Sequence, residues 1–145
     1  MVIGIIGENC SGKSTLAVEI QSAFGGEIIT GKDYLRMAKS ASEAERLFRA
    51  RLEQAVSGNN VIYVISEQEH VRLLPAGAVT ILVKADLETI KERFRTRMHG
   101  NLPAPVALML KRRHGCFDGG SYDFVYDGAA GDAKALCEKL NARLC

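Results

Sequence analysis

Residues 7 to 15 read Gly7-Glu8-Asn9-Cys10-Ser11-Gly12-Lys13-Ser14-Thr15. A glycine, four intervening residues, then Gly-Lys-Ser is the spacing of a phosphate-binding loop. Small residues let the backbone curl so that successive N–H groups face phosphate oxygens, and a helix starting behind the loop adds the partial positive charge of its N-terminus. Lys13 is placed to reach the β- and γ-phosphates, and the Ser14 hydroxyl to ligate Mg²⁺. The expected ligand is ATP with Mg²⁺, cradled by every residue from Gly7 to Thr15.

A second concentration of chemistry lies between Lys91 and Arg113, where seven Lys/Arg residues face one acid, Glu92. Arg93 and Arg97 are four apart and share one helical face, beside an apolar stripe of Leu87, Ile90, Phe94 and Met98. Two guanidinium forks on one face suit phosphate oxygens and the charge spread over a transferring phosphoryl group. A solvated basic face predicts the same letters, and both readings are open at this level. A nucleic-acid surface is a third reading, but the segment has a single aromatic, Phe94, and that on the core stripe, where a stacking platform needs several.

The remaining chain supplies scaffolding for these groups. VIGII (2–6), EIIT (27–30), VIYVIS (61–66), VTILVKA (79–85) and DFVYD (123–127) read as strands. Helices are expected over Ser14–Phe24, Ser42–Val56, Asp86–Met98, about Pro105–His114 and Asp132–Leu144. Ser42 and Glu45 stand at capping-box spacing. Strands separated by helices imply an α/β fold with a parallel sheet and right-handed crossovers.

With 145 residues, 47% hydrophobic and 25% charged, the chain reads as one domain, residues 1–145. That size buries about 68–70% of the unfolded surface, so no staple is required. No apolar run nears the roughly 18 residues of a membrane helix. Met1–Ile6 carries no preceding basic residue and is too short for a signal core, so the expected location is the cytoplasm. Cys10, Cys116, Cys137 and Cys145 form no C-x-x-C pair, and His70, His99 and His114 show no metal-ligand spacing; free thiols and no zinc site are expected.

GENCSGKST at the start, IKERFRTR after the fourth strand and YDFVYDG before the last helix together resemble the P-loop nucleoside and nucleotide kinases. Guanylate kinase is similar in its last strand, and the shikimate and gluconate kinases in their small size. The resemblance implies a three-layer P-loop fold, a five-stranded parallel sheet ordered 2-3-1-4-5 with helices on both faces. It implies phosphoryl transfer from ATP to a small anionic acceptor, foremost a nucleoside monophosphate, with no nucleic-acid or membrane partner. Arg93 and Arg97 match the Arg-x-x-x-Arg that leads into a mobile lid, here 98–113, with Lys111, Arg112 or Arg113 as a third cation. In TGKDYLR (30–36), Asp33 matches the acid near the metal or acceptor hydroxyl, and Arg36 could grip the acceptor's anionic group. Asp33 as a helix N-cap explains the same letter. Residues 42–56 would help cover the acceptor, with Arg46, Arg49 and Arg51 as further contacts. DGAAGD (127–132) is similar to the loop flanking the adenine, and also to a plain turn ending in an Asp132 cap.

One feature departs from these kinases. The strand VIYVIS ends in Ser66 where a Walker-B Asp orients Mg²⁺, leaving Glu67 or Asp33 to replace it. A nucleotide-binding regulator with feeble chemistry is the alternative that this departure favours.

Overall fold

The computed structural model describes residues 1–144; Cys145 lies outside them. In chain order the elements are β1 Val2–Ile6, α1 Lys13–Phe24, β2 Glu27–Thr30, a 3₁₀ turn Asp33–Met37, α2 Ala41–Ala55, β3 Val61–Ile65 and α3 Gln68–Val71. They continue with β4 Val79–Lys84, α4 Leu87–Arg97, α5 Ala104–Arg113, β5 Phe124–Asp127 and α6 Ala133–Leu144. The strands form one parallel sheet in the order β2-β3-β1-β4-β5, as expected.

Why β1 and β3 are central follows from their letters. VIGII and VIYVI are apolar or glycine throughout and buried at every position, which suits strands covered on both faces. β2, with Ile29 its one buried residue, and β5, which alternates half-buried with exposed residues, take the edges. One face packs Ile6, Tyr63, Ile65 and Leu82 against Phe48 and Leu52 of α2 and against Phe117. The other packs Ile3, Ile5, Val64 and Ile81 against Leu16 and Ile20 of α1 and Leu136 and Leu140 of α6. Cys10, Ile90 and Leu110 form a third, small cluster that seats α4 and α5 beside the loop after β1. No helix among the described residues is long and apolar enough to cross a membrane.

The starts of α2, α4 and α6 are capped by side chains, one of them shifted from its expected place. Asp86 accepts from Thr89 N at 2.7 Å and Asp132 from Lys134 N at 3.0 Å. The cap of α2 is Ser40, whose hydroxyl accepts from Glu43 N at 3.2 Å, not Ser42. Ser40 and Glu43 offer the same spacing two residues earlier, and Glu45 is occupied by Arg72 at 2.6 Å. Asp33 is likewise no cap: it lies in the first turn of the 3₁₀ segment, its carboxylate turned back to Thr30. That turn and α3 have too few residues for a periodic signal.

Candidate active site

The buried run of β1 stops at Ile6, and Gly7 N–H, donating to Ile65 O at 3.1 Å, keeps the following loop in register with β3. The chain then reverses through two left-handed residues, Cys10 (φ 64°) and Gly12 (φ 110°). For Cys10 that conformation costs on the order of 1–2 kcal/mol, so the surroundings must hold it. α1 opens directly on Gly12 with no side-chain cap. Its first N–H groups therefore point from a helix N-terminus into the loop without a partner of their own.

Lys13 is only 6% exposed, and its Nζ donates to the carbonyl of Glu8 at 2.6 Å. Burial pulls its pKa down to about 8; the nearby Cys10 sulfur and Glu8 carboxylate push it up, and the Arg97 and Arg113 cations push it down. Glu8 contributes that carbonyl while its carboxylate turns away, accepting from Gly115 N–H at 3.1 Å and lying 3.0 Å from His114 Nδ1. The loop is thereby tied to the far end of α5. Nothing in the sequence signals this contact, which spans more than a hundred residues.

A cavity of about 650 Å³ opens over the loop. It is lined by Asn9, Cys10, Gly12, Lys13, Ser14, Thr15, Leu16 and Glu19 of the loop and α1, by Thr30, Gly31, Lys32 and Asp33 at and after the end of β2, and by Val64 and Ser66 at the end of β3. Arg93, Arg97, Tyr126 and Gly128 complete the wall. Lys13, Ser14, Asp33, Arg93 and Arg97, drawn from separate segments, thus share one space. Gly7, Glu8 and Ser11 support the loop from below, off the lining. Arg36 is also off it, on the exposed last turn of the 3₁₀ segment. Arg46 pairs with Glu43 and Arg51 with Glu27. Among the described residues no cluster of His, Cys, Asp and Glu could hold a metal by itself.

The two arginines differ in what they hold. Arg93 donates from Nη1 to Cys10 O at 3.1 Å and from Nη2 to Gly128 O at 2.7 Å, so its fork is spent on backbone. Arg97 reaches the same cavity and makes no hydrogen bond or ion pair with any described residue. Arg95, on the other side of α4, pairs with Glu92. Asp33 Oδ2 accepts from Thr30 N at 3.1 Å and from Thr30 Oγ1 at 2.8 Å, and these bonds hold its carboxyl below the usual range. At the end of β3, Arg113 grips Ser66 O at 3.0 Å and Glu67 at 3.2 Å. Glu67 is therefore engaged away from the cavity, and Asp33 is the one of the two proposed substitute acids that lines it.

No protein-family model matches the chain, and no curated protein does. Solved structures do. A gluconokinase from Sinorhizobium meliloti 1021 is 18% identical with a TM-score of 0.63, covering 99% of this chain and 94% of that one. A deoxyadenosine kinase from M. mycoides is 19% identical with a TM-score of 0.57, covering 99% and 98%. Shikimate kinase from Aquifex aeolicus is 15% identical with a TM-score of 0.55, covering 99% and 96%. The chain has the P-loop kinase fold. At these identities the likeness is one of fold, and it does not single out guanylate kinase. The loop Gly7–Thr15 follows the C-terminal end of the central strand β1, which lies between β3 on one side and β4 on the other.

Proposed function

We propose that the protein transfers the γ-phosphoryl group of ATP to a hydroxyl of a small anionic acceptor. The observation that carries this reading is the continuous cavity that joins the uncapped start of α1 and Lys13 to Asp33, with Arg97 free along its wall. The cradle fits a magnesium-bound triphosphate: backbone N–H groups of the P-loop and Lys13 would hold the phosphates, and Ser14 would ligate Mg²⁺. The metal, when bound, neutralises charge on the β- and γ-oxygens. Arg97 balances the charge that develops on the transferring group. Asp33, ionised at neutral pH, orients the acceptor hydroxyl and accepts its hydrogen bond. Residues 98–113 act as a lid whose tip is the turn at His99 and Gly100, both in the left-handed region.

For the acceptor, the resemblance in sequence favours a nucleoside monophosphate. A second reading has an observation behind it. The lining residues nearest Asp33 in sequence and at the end of β3, namely Thr30, Gly31, Lys32, Val64 and Ser66, include no aromatic ring, and the cavity's one aromatic lining residue is Tyr126 of β5. Tyr34, the nearest aromatic in sequence, is stacked on Phe48 with centroids 5.1 Å apart. This composition favours a compact hydroxy acid, whose carboxylate Lys32 could meet.

A coupled assay of ADP release from ATP and Mg²⁺, run separately with nucleoside monophosphates, nucleosides, shikimate and sugar acids, tests the proposal. Strong turnover with one acceptor class is the expected result and chooses between the two readings. Nucleotide binding without turnover on any acceptor would favour the regulator that the missing Walker-B acid suggests.

A further inference from the structure

We infer that Gly128, acting with Arg93, is a positioning residue that sets the shape of the phosphate cradle from behind; the inference rests on the phosphotransfer reading above. Gly128 is the first residue after β5, and its φ is not in the left-handed region, so backbone conformation alone does not call for glycine there. Contact does. A Cβ at Gly128 would overlap the carbonyl oxygen of Ser11 and stand 3.0 Å from Val83 Cγ1. Across the same seam a Cβ at Gly12 would lie 2.9 Å from Gly128 O and 3.3 Å from Arg93 Nη1. The loop after β5 and the turn of the cradle therefore touch backbone to backbone, with a glycine on each side.

The loop that makes this wall is itself fixed. Gly128 N–H donates to Lys84 O at 2.7 Å, which ties it to the end of β4. Asp127 accepts from Ala129 N at 2.8 Å and Ala130 N at 3.1 Å, which closes the turn beyond it. Arg93 then joins the wall to the cradle by holding Gly128 O with one N–H group and Cys10 O with the other. Cys10 is the non-glycine residue of the cradle in the left-handed region, so Arg93 bonds the carbonyl whose direction the strained turn sets. Displacing Ser11 O rotates the Ser11–Gly12 peptide, whose N–H belongs to the group of donors that faces the phosphates. The wall thus preorganises those donors before any ligand arrives. In this arrangement Arg93 acts through the backbone, and Arg97 is the arginine left to touch the transferring group.

The test compares wild type, Gly128→Ala, Arg93→Gln and, as control, Ala129→Gly on the exposed neighbour, by calorimetric titration with MgATP and with inorganic tripolyphosphate, alongside thermal melts. Expected is a loss of tenfold or more in affinity for both probes in Gly128→Ala and Arg93→Gln, in parallel, with folded protein in each case and Ala129→Gly unchanged. A merely structural role would lower the melting temperature and leave the affinities of the folded variants alone. Either folded variant binding MgATP within threefold of wild type overturns the inference. If Gly128→Ala does not fold, Arg93→Gln decides: intact ATP affinity with lost turnover would make Arg93 a transition-state clamp and remove its positioning role. A wild-type protein that binds neither probe overturns the phosphotransfer reading itself, and this inference with it.

Discussion

At the phosphate end of the cavity the Cys10–Gly12 turn is held from several directions: by Arg93 and Gly128, by Gly7 on Ile65 O, and by Glu8, whose carboxylate is anchored on His114 and Gly115. At the acceptor end the 3₁₀ turn Asp33–Met37 buries no residue, and rests on the bonds of Asp33 to Thr30 and on the Tyr34 ring against Phe48 and edge-on to His70. A site whose donors are fixed in advance binds without ordering costs, whereas a lightly held turn is ordered by its ligand. On the proposed phosphotransfer reading, the contrast assigns nucleotide binding to the frame of the fold and acceptor choice to the lightly held segment.

The largest effect that would break this contrast is at Lys13. Lys13→Ala removes the side-chain cation that follows the γ-phosphate and should abolish measurable MgATP binding by calorimetry, while thermal melts show a folded protein, since a buried and desolvated charge has been deleted. Next comes Arg97→Ala, expected to lower turnover about 10²- to 10³-fold with ATP affinity nearly intact, the pattern of an interaction made in the transition state. Arg95→Ala, whose guanidinium is spent on Glu92, should change neither quantity in the same assay.

Tyr34→Leu sharpens the other side. Losing the stacked ring should loosen the turn that carries Asp33, raising KM for the acceptor roughly tenfold and costing about 1 kcal/mol of stability in denaturant melts, with MgATP affinity unchanged. An equal loss of nucleotide affinity would mean the two ends are not separate.

The smallest effect is a proton. Lys13 titrates at about 8 in the folded protein against 10.5 in its ordinary state, a lowered value for a base. Between those values the unfolded chain binds more protons than the folded one, so stability rises with pH across that window, and the burial penalty is present in full below it. A bound triphosphate favours the charged ammonium. MgATP binding at pH 8.5 should therefore take up part of a proton, read as a dependence of the binding enthalpy on the ionisation enthalpy of the buffer. Identical enthalpies in all buffers would mean that Lys13 is already fully charged.

What the letters revealed and what they concealed divides along the same line. The continuous apolar runs of β1 and β3, the Gly-x-x-x-x-Gly-Lys-Ser spacing and the Asp86 and Asp132 caps are local signals, and the fold follows them. The cap of α2 was ambiguous because Ser40 and Ser42 each precede a glutamate at the same spacing; tertiary pairing of Glu45 with Arg72 separates them. Arg93 and Arg97 were equivalent in spacing, and the carbonyl of Gly128, thirty-five residues further on, makes them unlike. Gly128 itself carried no signal, since its need for glycine comes from the Ser11 carbonyl and not from its own backbone angle. The 3₁₀ turn has five residues, too short for any period to show.

The most direct test of the account follows the γ-phosphoryl group itself. With γ-labelled ATP, Mg²⁺ and a pool of sugar acids, shikimate, nucleosides and nucleoside monophosphates, the label should pass into one small anionic organic product, and Arg97→Ala should slow that passage without weakening ATP binding. Label that remains in bound ATP, or appears only as inorganic phosphate, would contradict a phosphotransferase.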